Sequence, residues 1–181
     1  MASNVTSANG NRRRVAGWGL AVSLLLLPFV AMQLTHEVNW TGSDFGFAAA
    51  LIGGIGLLFE LAVRMSDSPA YRAGVALALA ASFLTIWTTG AVGMIGDEGN
   101  PLNLLFAGVL LLALLGSALA RFRAAGMATT MAVAATAQML ASMIGMFTDL
   151  LGGIYSAIFA AIWLASAAMF RKASAQQSIA A

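Results

Sequence analysis

Apolar residues run along this chain in long continuous blocks, separated by short polar breaks. Residues 15–34 are apolar apart from Ser23 and Gln33. Further blocks follow at 45–64, 73–95, 103–120, 126–147 and 153–170. Each block approaches the roughly 20 residues that a helix needs to cross about 30 Å of hydrocarbon. A lipid-spanning barrel would instead alternate apolar and polar positions with a period of two. The pattern therefore predicts an all-α, polytopic membrane helix bundle with six transmembrane helices, five or seven being the neighbouring counts. Residues 1–14 and 173–181 are read as cytoplasmic tails, and residues 15–172 as one transmembrane domain.

The basic residues set an orientation, because short loops rich in Lys and Arg stay in the cytoplasm. Arg12, Arg13 and Arg14 precede the first block, and Arg64 and Arg72 flank the second break. Arg121 and Arg123 flank the fourth, and Arg171 and Lys172 follow the last block. With six helices all nine basic residues fall on one side. Glu37, Asp44, Asp97, Glu98 and Asp149, five of the seven acids, fall on the other. Both termini are thus expected in the cytoplasm, with the breaks at 35–44 and 96–102 outside, in a bacterial inner membrane. The stretch 11-NRRRVAG-17 is similar to a twin-arginine signal, but 29-FVAMQLT-35 has no small-x-small cleavage site, so a retained anchor is expected.

Composition agrees with this class. Hydrophobic residues make up 60% of the 181 residues and charged residues only 9%, with a mean hydropathy of +0.87. There is no cysteine, which excludes disulfides, thiolate nucleophiles and Cys-ligated metals. Neither a phosphate loop nor a nucleophile–base pair is present, so an enzyme is disfavoured and no cofactor is implied. Nucleic acid is disfavoured as well, since topology already accounts for the basic residues.

Small residues mark where helices should meet, because lipid tails give two apolar helices no hydrophobic reason to associate. Gly53, Gly54 and Gly56 form one such groove, and Gly108 and Gly116 mark another. Ala157, Ala161, Ala165 and Ala168 fall along one side of the last block. Recurrent Arg-x-Ala-Gly-like starts (14-RVAG-17, 72-RAG-74, 123-RAAG-126) fit either three similar helical hairpins or ordinary alanine-rich packing. Pro28 removes a backbone bond inside the first helix.

Few polar residues interrupt this frame. Glu60 is the only ionisable residue well inside an apolar block. An intramembrane carboxylate marks a proton or ion pathway by default, yet Arg64 lies one turn on, so an ion pair competes. Replacement of Glu60 by Gln is expected to leave folding nearly intact under either reading. Gln138 lies mid-helix with Ser142 and Thr136 nearby, and its amide needs a partner across helices. Met127, Met131, Met139, Met143 and Met146 share about half of that helix, a pattern of cuprous ligands or of ordinary packing. Outside, His36, Glu37, Asp44, Asp97 and Glu98 make a candidate polar site for a hard cation, a proton or a basic partner. Their spacing is no metal signature. Local roles compete for the same breaks: Trp40 as an interfacial anchor, Ser43 or Asp44 capping the second helix, and Asn100 capping the fourth before Pro101.

The segments 35-THEVNWTGSDFGF-47, 71-YRAGVALALAASFLTIWTTGAVGMIGDEGNPLN-103, 120-ARFRAAGMATTMAVAATAQ-138 and 163-WLASAAMFRKA-173 resemble a group of small, uncharacterised bacterial inner-membrane proteins. The resemblance covers most of the chain outside the N-terminal tail. It implies a fold and a location but no activity, and it draws attention to Glu37, Trp40, Asp44, Glu98 and Asn103. Two functions are carried forward. One is a small cation, proton or solute transporter or channel subunit, acting as a homo-oligomer. The other is a non-catalytic partner that docks another membrane protein through its acidic outer loops. The lipid bilayer is a partner in both.

Overall fold

The computed structural model describes residues 3–36 and 38–180, with side chains at 14–36 and 38–179. Among the described residues there are six α-helices, one short 3-10 turn and no strand. The helices are α1 (Ser3–Leu34), α2 (Gly42–Met65), α3 (Pro69–Ala91), α4 (Leu104–Leu119), α5 (Ala124–Gly145) and α6 (Leu150–Ala180), with the 3-10 turn at Pro101–Asn103 before α4. Six helices are long and apolar enough to cross a membrane, as the hydropathy blocks predict. The chain divides into two compact units, residues 1–60 and 61–181.

Both ends of α3 depart from its hydropathy block for local reasons. The third helix begins four residues early, because the Ser68 hydroxyl accepts from the Tyr71 N–H at 3.3 Å and Pro69 occupies the first helical position. It stops at Ala91, although Val92, Met94 and Ile95 continue the apolar run. Gly93 takes φ +80°, and a Cβ there would lie 2.4 Å from the Asp97 carbonyl carbon, so the chain turns there and only glycine fits. Met94 and Ile95 are then buried against Phe106 and Ala141. The last helix also exceeds its block. It continues to Ala180, through the segment read as a tail, and Ala173 is fully buried in the core.

Within the first unit, the Thr41 backbone N–H and hydroxyl both donate to Asp44 Oδ2 at 2.7 Å, and the Asp44 N–H returns a bond to the Thr41 hydroxyl at 3.4 Å. This reciprocal box corrects the expected cap: Thr41 caps α2, and Asp44 is its partner three positions on. Trp40 packs edge-on against Phe45 with centroids 5.1 Å apart. Of the three glycines expected to form a groove, only Gly56 has a close neighbour, the ring of Trp18, while a Cβ at Gly53 or Gly54 would meet open space.

In the second unit α5 packs along α6, α3 lies on α6 and α4 lies on α5. The main core holds Tyr71, Val109, Met127, Met131, Trp163 and Phe170. At α3–α6 the Ser166 hydroxyl donates to the Gly74 carbonyl at 2.7 Å, and the Tyr71 and Phe170 rings meet edge-on at 5.2 Å. The small-residue face expected on α6 is overturned. Ala161, Ala165 and Ala168 are exposed, and the buried stripe is Gly153, Ser156, Ala160, Trp163, Ala167 and Phe170. That stripe wins because it carries the two large rings that fill the core, with small residues between them that let the backbones approach. Gly116 packs closely on Thr130 as expected, whereas Gly108 has no neighbour.

Among the helical glycines the closest approach to backbone is at Gly153, where a Cβ would lie 2.8 Å from both the Met146 nitrogen and the Ser142 carbonyl oxygen. Backbone cannot move aside as a flexible side chain can. Gly153→Ala should therefore destabilise the detergent-solubilised protein by about 1–3 kcal/mol, the usual range for overpacking, read as a lowered thermal midpoint. Gly54→Ala, with open space and a better helix former, should leave the midpoint unchanged or raised.

Candidate functional site

The structure places the residues of the candidate polar site in two units. His36 and Asp44 belong to the first, and Asp97 and Glu98 to the second. Glu37 lies outside the described residues. His36, Asp44, Asp97 and Glu98 are exposed, and no three His, Asp or Glu side chains among the described residues are grouped to hold a metal ion. Asp44 is engaged in the α2 cap. Glu60 takes a partner that its spacing did not indicate: Arg14 of α1 forms an ion pair with it. The methionine stripe is split, with Met127 and Met131 in the core and Met139 and Met143 exposed, which separates any set of thioether ligands.

The turn after α3 is built by residues whose roles the sequence concealed. Asn103 is buried, and its Oδ1 accepts from the backbone N–H groups of Met94 and Ile95, each at 2.9 Å. Its Nδ2 donates to the Asp97 carbonyl at 2.7 Å. One side chain thereby satisfies three backbone groups that have no helical partner. The Asn100 side chain accepts from the Leu102 N–H at 3.0 Å, so it caps the 3-10 turn ahead of α4 rather than α4 itself. Asp149 completes the assembly. Its Oδ1 accepts from the Gly152 N–H and its Oδ2 from the Gly96 N–H, both at 2.9 Å, so one carboxylate caps α6 and ties down the turn after α3. The place of Asp149, just before an apolar block, signalled the cap. Nothing in the sequence signalled the bond to Gly96, 53 residues away.

Beside this assembly is a recess of about 370 Å³, lined by Thr88, Val92, Asp149, Tyr155 and Phe159 among others. A second recess, of about 440 Å³, lies at the other end of the same unit, where Tyr71, Arg123 and Ser174 contribute to its wall. The Tyr71 hydroxyl donates to the Phe122 carbonyl there at 2.8 Å, which holds the α4–α5 turn with Arg121 and Phe122 at positive φ.

Between the two ends lies a buried polar set. Gln138 is fully buried, as a mid-helix amide in an apolar block is expected to be, and its Nε2 donates to the Ser156 carbonyl of α6 at 3.0 Å. The Ser142 hydroxyl donates to the Gln138 carbonyl at 2.9 Å, and the Ser156 hydroxyl lies 2.8 Å from that of Ser142. Among the described residues, four buried side-chain atoms have no hydrogen-bond partner: Thr85 Oγ1, Thr89 Oγ1, Gln138 Oε1 and Trp163 Nε1. Most buried polar groups in folded proteins are paired, so each of these calls for a reason.

The Gly152 N–H, then that of Gly96, hold the Asp149 carboxyl below the ordinary carboxylate range, with desolvation opposing them and the Leu151 N–H adding to them. A lowered folded pKa means that the anchor is at full strength above the ordinary value of 3.8 and is lost as pH falls through the lower folded value. Hydrogen exchange at Gly96 and Gly152, corrected for its intrinsic pH dependence, should accelerate over that acid range and lose this dependence in Asp149→Asn. Asn103→Ala leaves two buried N–H groups unsatisfied and should cost about 1–3 kcal/mol, with faster exchange and proteolysis confined first to residues 92–103. Comparisons with protein-family models, curated proteins and solved structures return no match.

Proposed function

We propose that this protein is a multi-pass protein of a bacterial inner membrane, with both termini in the cytoplasm, and that it is a small transporter or channel subunit for a cation, a proton or a small polar solute. The location rests on the segregation of all nine basic residues to one set of helix ends. The transport reading is carried by one observation: a wholly buried glutamine whose Oε1 has no protein partner, in the middle of a helix long and apolar enough to span a bilayer. Polar groups at that depth are expensive, and routes for polar cargo are what commonly require them. Glu60, paired with Arg14, is read as a structural ion pair.

A second reading, a non-catalytic partner, draws on a different observation. Asp97 and Glu98 are exposed on a turn that Asn103 and Asp149 hold in one conformation. A pre-organised acidic loop costs little to dock against a basic surface.

Purified protein in proteoliposomes should pass a small monovalent cation or protons under an imposed gradient, and Gln138→Ala should reduce that flux. Equal flux in protein-free vesicles would remove the transport reading. A companion protein that co-purifies with wild type and is lost with Asp97→Asn/Glu98→Gln would replace it with the docking reading. Fluorescent-protein fusions at either terminus should fluoresce, and alkaline phosphatase fusions there should be inactive. The reverse pattern would invert the orientation.

A further inference from the structure

The recess of about 440 Å³ at the other end of the second unit is formed where the last residue of α2, the start of α3, the α4–α5 turn and the far part of α6 meet. Two sets of bonds fix its walls. The Tyr71 hydroxyl holds the Phe122 carbonyl at 2.8 Å. Arg72 Nε donates to the Ser66 carbonyl at 2.8 Å, and its Nη2 to the Val63 carbonyl at 2.9 Å and to Asp67 Oδ1 at 3.0 Å. Arg72 is thus spent on the corner between α2 and α3. Arg123, which lines the recess, is not spent. It stands at the N-cap of α5 without a side-chain cap bond, and no ion pair among the described residues includes it. Ser174 and Gln177, three positions apart and so on one face of α6, add a hydroxyl and an amide to the same wall, and no Asp or Glu among the described residues lines it.

A guanidinium presents a rigid fork of donors and no acceptor, a match for phosphate oxygens, and the hydroxyl and the amide can donate beside it. The polar wall therefore suits an anion. The rest of the lining is apolar: Met65 and Phe122 stand in the recess about half exposed. Leu115 and Leu119, one turn apart on α4, are exposed and approach the Phe122 turn along the chain. A free phosphate would use only the polar part of this surface, whereas a phospholipid would use both. This end also carries the basic residues, with Arg64, Arg72 and Arg121 each next in sequence to a lining residue, and basic pockets between helices at the cytoplasmic side are where anionic headgroups bind. We infer that this recess binds one anionic phospholipid of the cytoplasmic leaflet, its phosphate held by Arg123 with Ser174 and Gln177 and its acyl chains lying along the outer face of α4. The inference takes from the proposed function the bilayer and the orientation, and it is independent of transport.

Delipidated protein in mild detergent should be titrated with phosphatidylglycerol or with phosphatidylcholine of the same acyl chains, and the bound lipid counted by native mass spectrometry. One phosphatidylglycerol should bind at concentrations that leave phosphatidylcholine unbound. Arg123→Gln should weaken that binding about tenfold or more, as expected for the loss of hydrogen bonds to a charged group, and Arg123→Lys, which keeps the charge, should lose less. Lys172→Gln removes the same charge from the side of α6 opposite Ser174 and should leave binding unchanged. Ser174→Phe fills the recess with every charge in place and should also lose the lipid, so the two positions test the site independently, each variant being checked for a thermal midpoint like that of wild type. Equal binding of the two lipids would overturn the proposal, as would phosphatidylglycerol held as tightly by Arg123→Gln and Ser174→Phe as by wild type. Displacement of the lipid by equimolar glycerol 3-phosphate, which has the phosphate without the chains, would overturn the lipid assignment in favour of a soluble phosphate. The count is made without a gradient, so a failure of flux leaves it unaffected.

Discussion

Helices as apolar as these gain little from hiding from one another once their surroundings are equally apolar, so close approach and a few polar bonds must hold them together. The second unit shows both. Gly153 brings the start of α6 against the backbone at the end of α5, and the Gln138–Ser156 bond lies one turn further along the same pair. Ser166 does the equivalent work at α3–α6 through the Gly74 carbonyl. These contacts leave the large rings, Trp163 and Phe170, to fill the remaining space.

The same scarcity of polar partners governs the turns. Irregular backbone beside an apolar bundle exposes N–H and C=O groups that a helix would have paired. Between α3 and α4 the chain meets this demand with side chains: Asn103 satisfies three backbone groups and Asp149 reaches in from the start of α6. An apolar run that hydropathy assigns to a helix can therefore end early, with Met94 and Ile95 folded back as core. The recess beside Asp149 follows from this geometry, because the turn is held against α6 rather than extending α3.

Against so well-paired a background, the unpaired oxygens at Thr85, Thr89 and Gln138 stand out. Chains of this kind bury few polar groups, and the neighbouring serines all find partners within the bundle. The two threonines belong to α3, whose end helps to wall the recess beside Asp149, whereas Gln138 belongs to α5, which contributes nothing to that wall. The exposed acids at Asp97 and Glu98 are explained differently, as the solvent side of a turn whose backbone is already satisfied.

The number and approximate extent of the helices were legible in the chain, because both follow from uninterrupted apolar length, a one-dimensional property. Asn100 as a cap and Gln138 as a buried amide were legible too, since each follows from its immediate neighbours. The cap of α2 was misplaced by a few residues, because Thr41, Ser43 and Asp44 all carry a suitable oxygen and only the geometry chooses among them. The pairing of Glu60 with Arg14, the buried face of α6, the three bonds of Asn103 and the reach of Asp149 to Gly96 belong to the tertiary structure alone. Each joins residues far apart in sequence or selects one face of a helix that is apolar all round, where periodicity carries no information. Residue order determined which segments are long and apolar enough to cross a membrane, and only packing decided which of their few polar atoms would go without a partner.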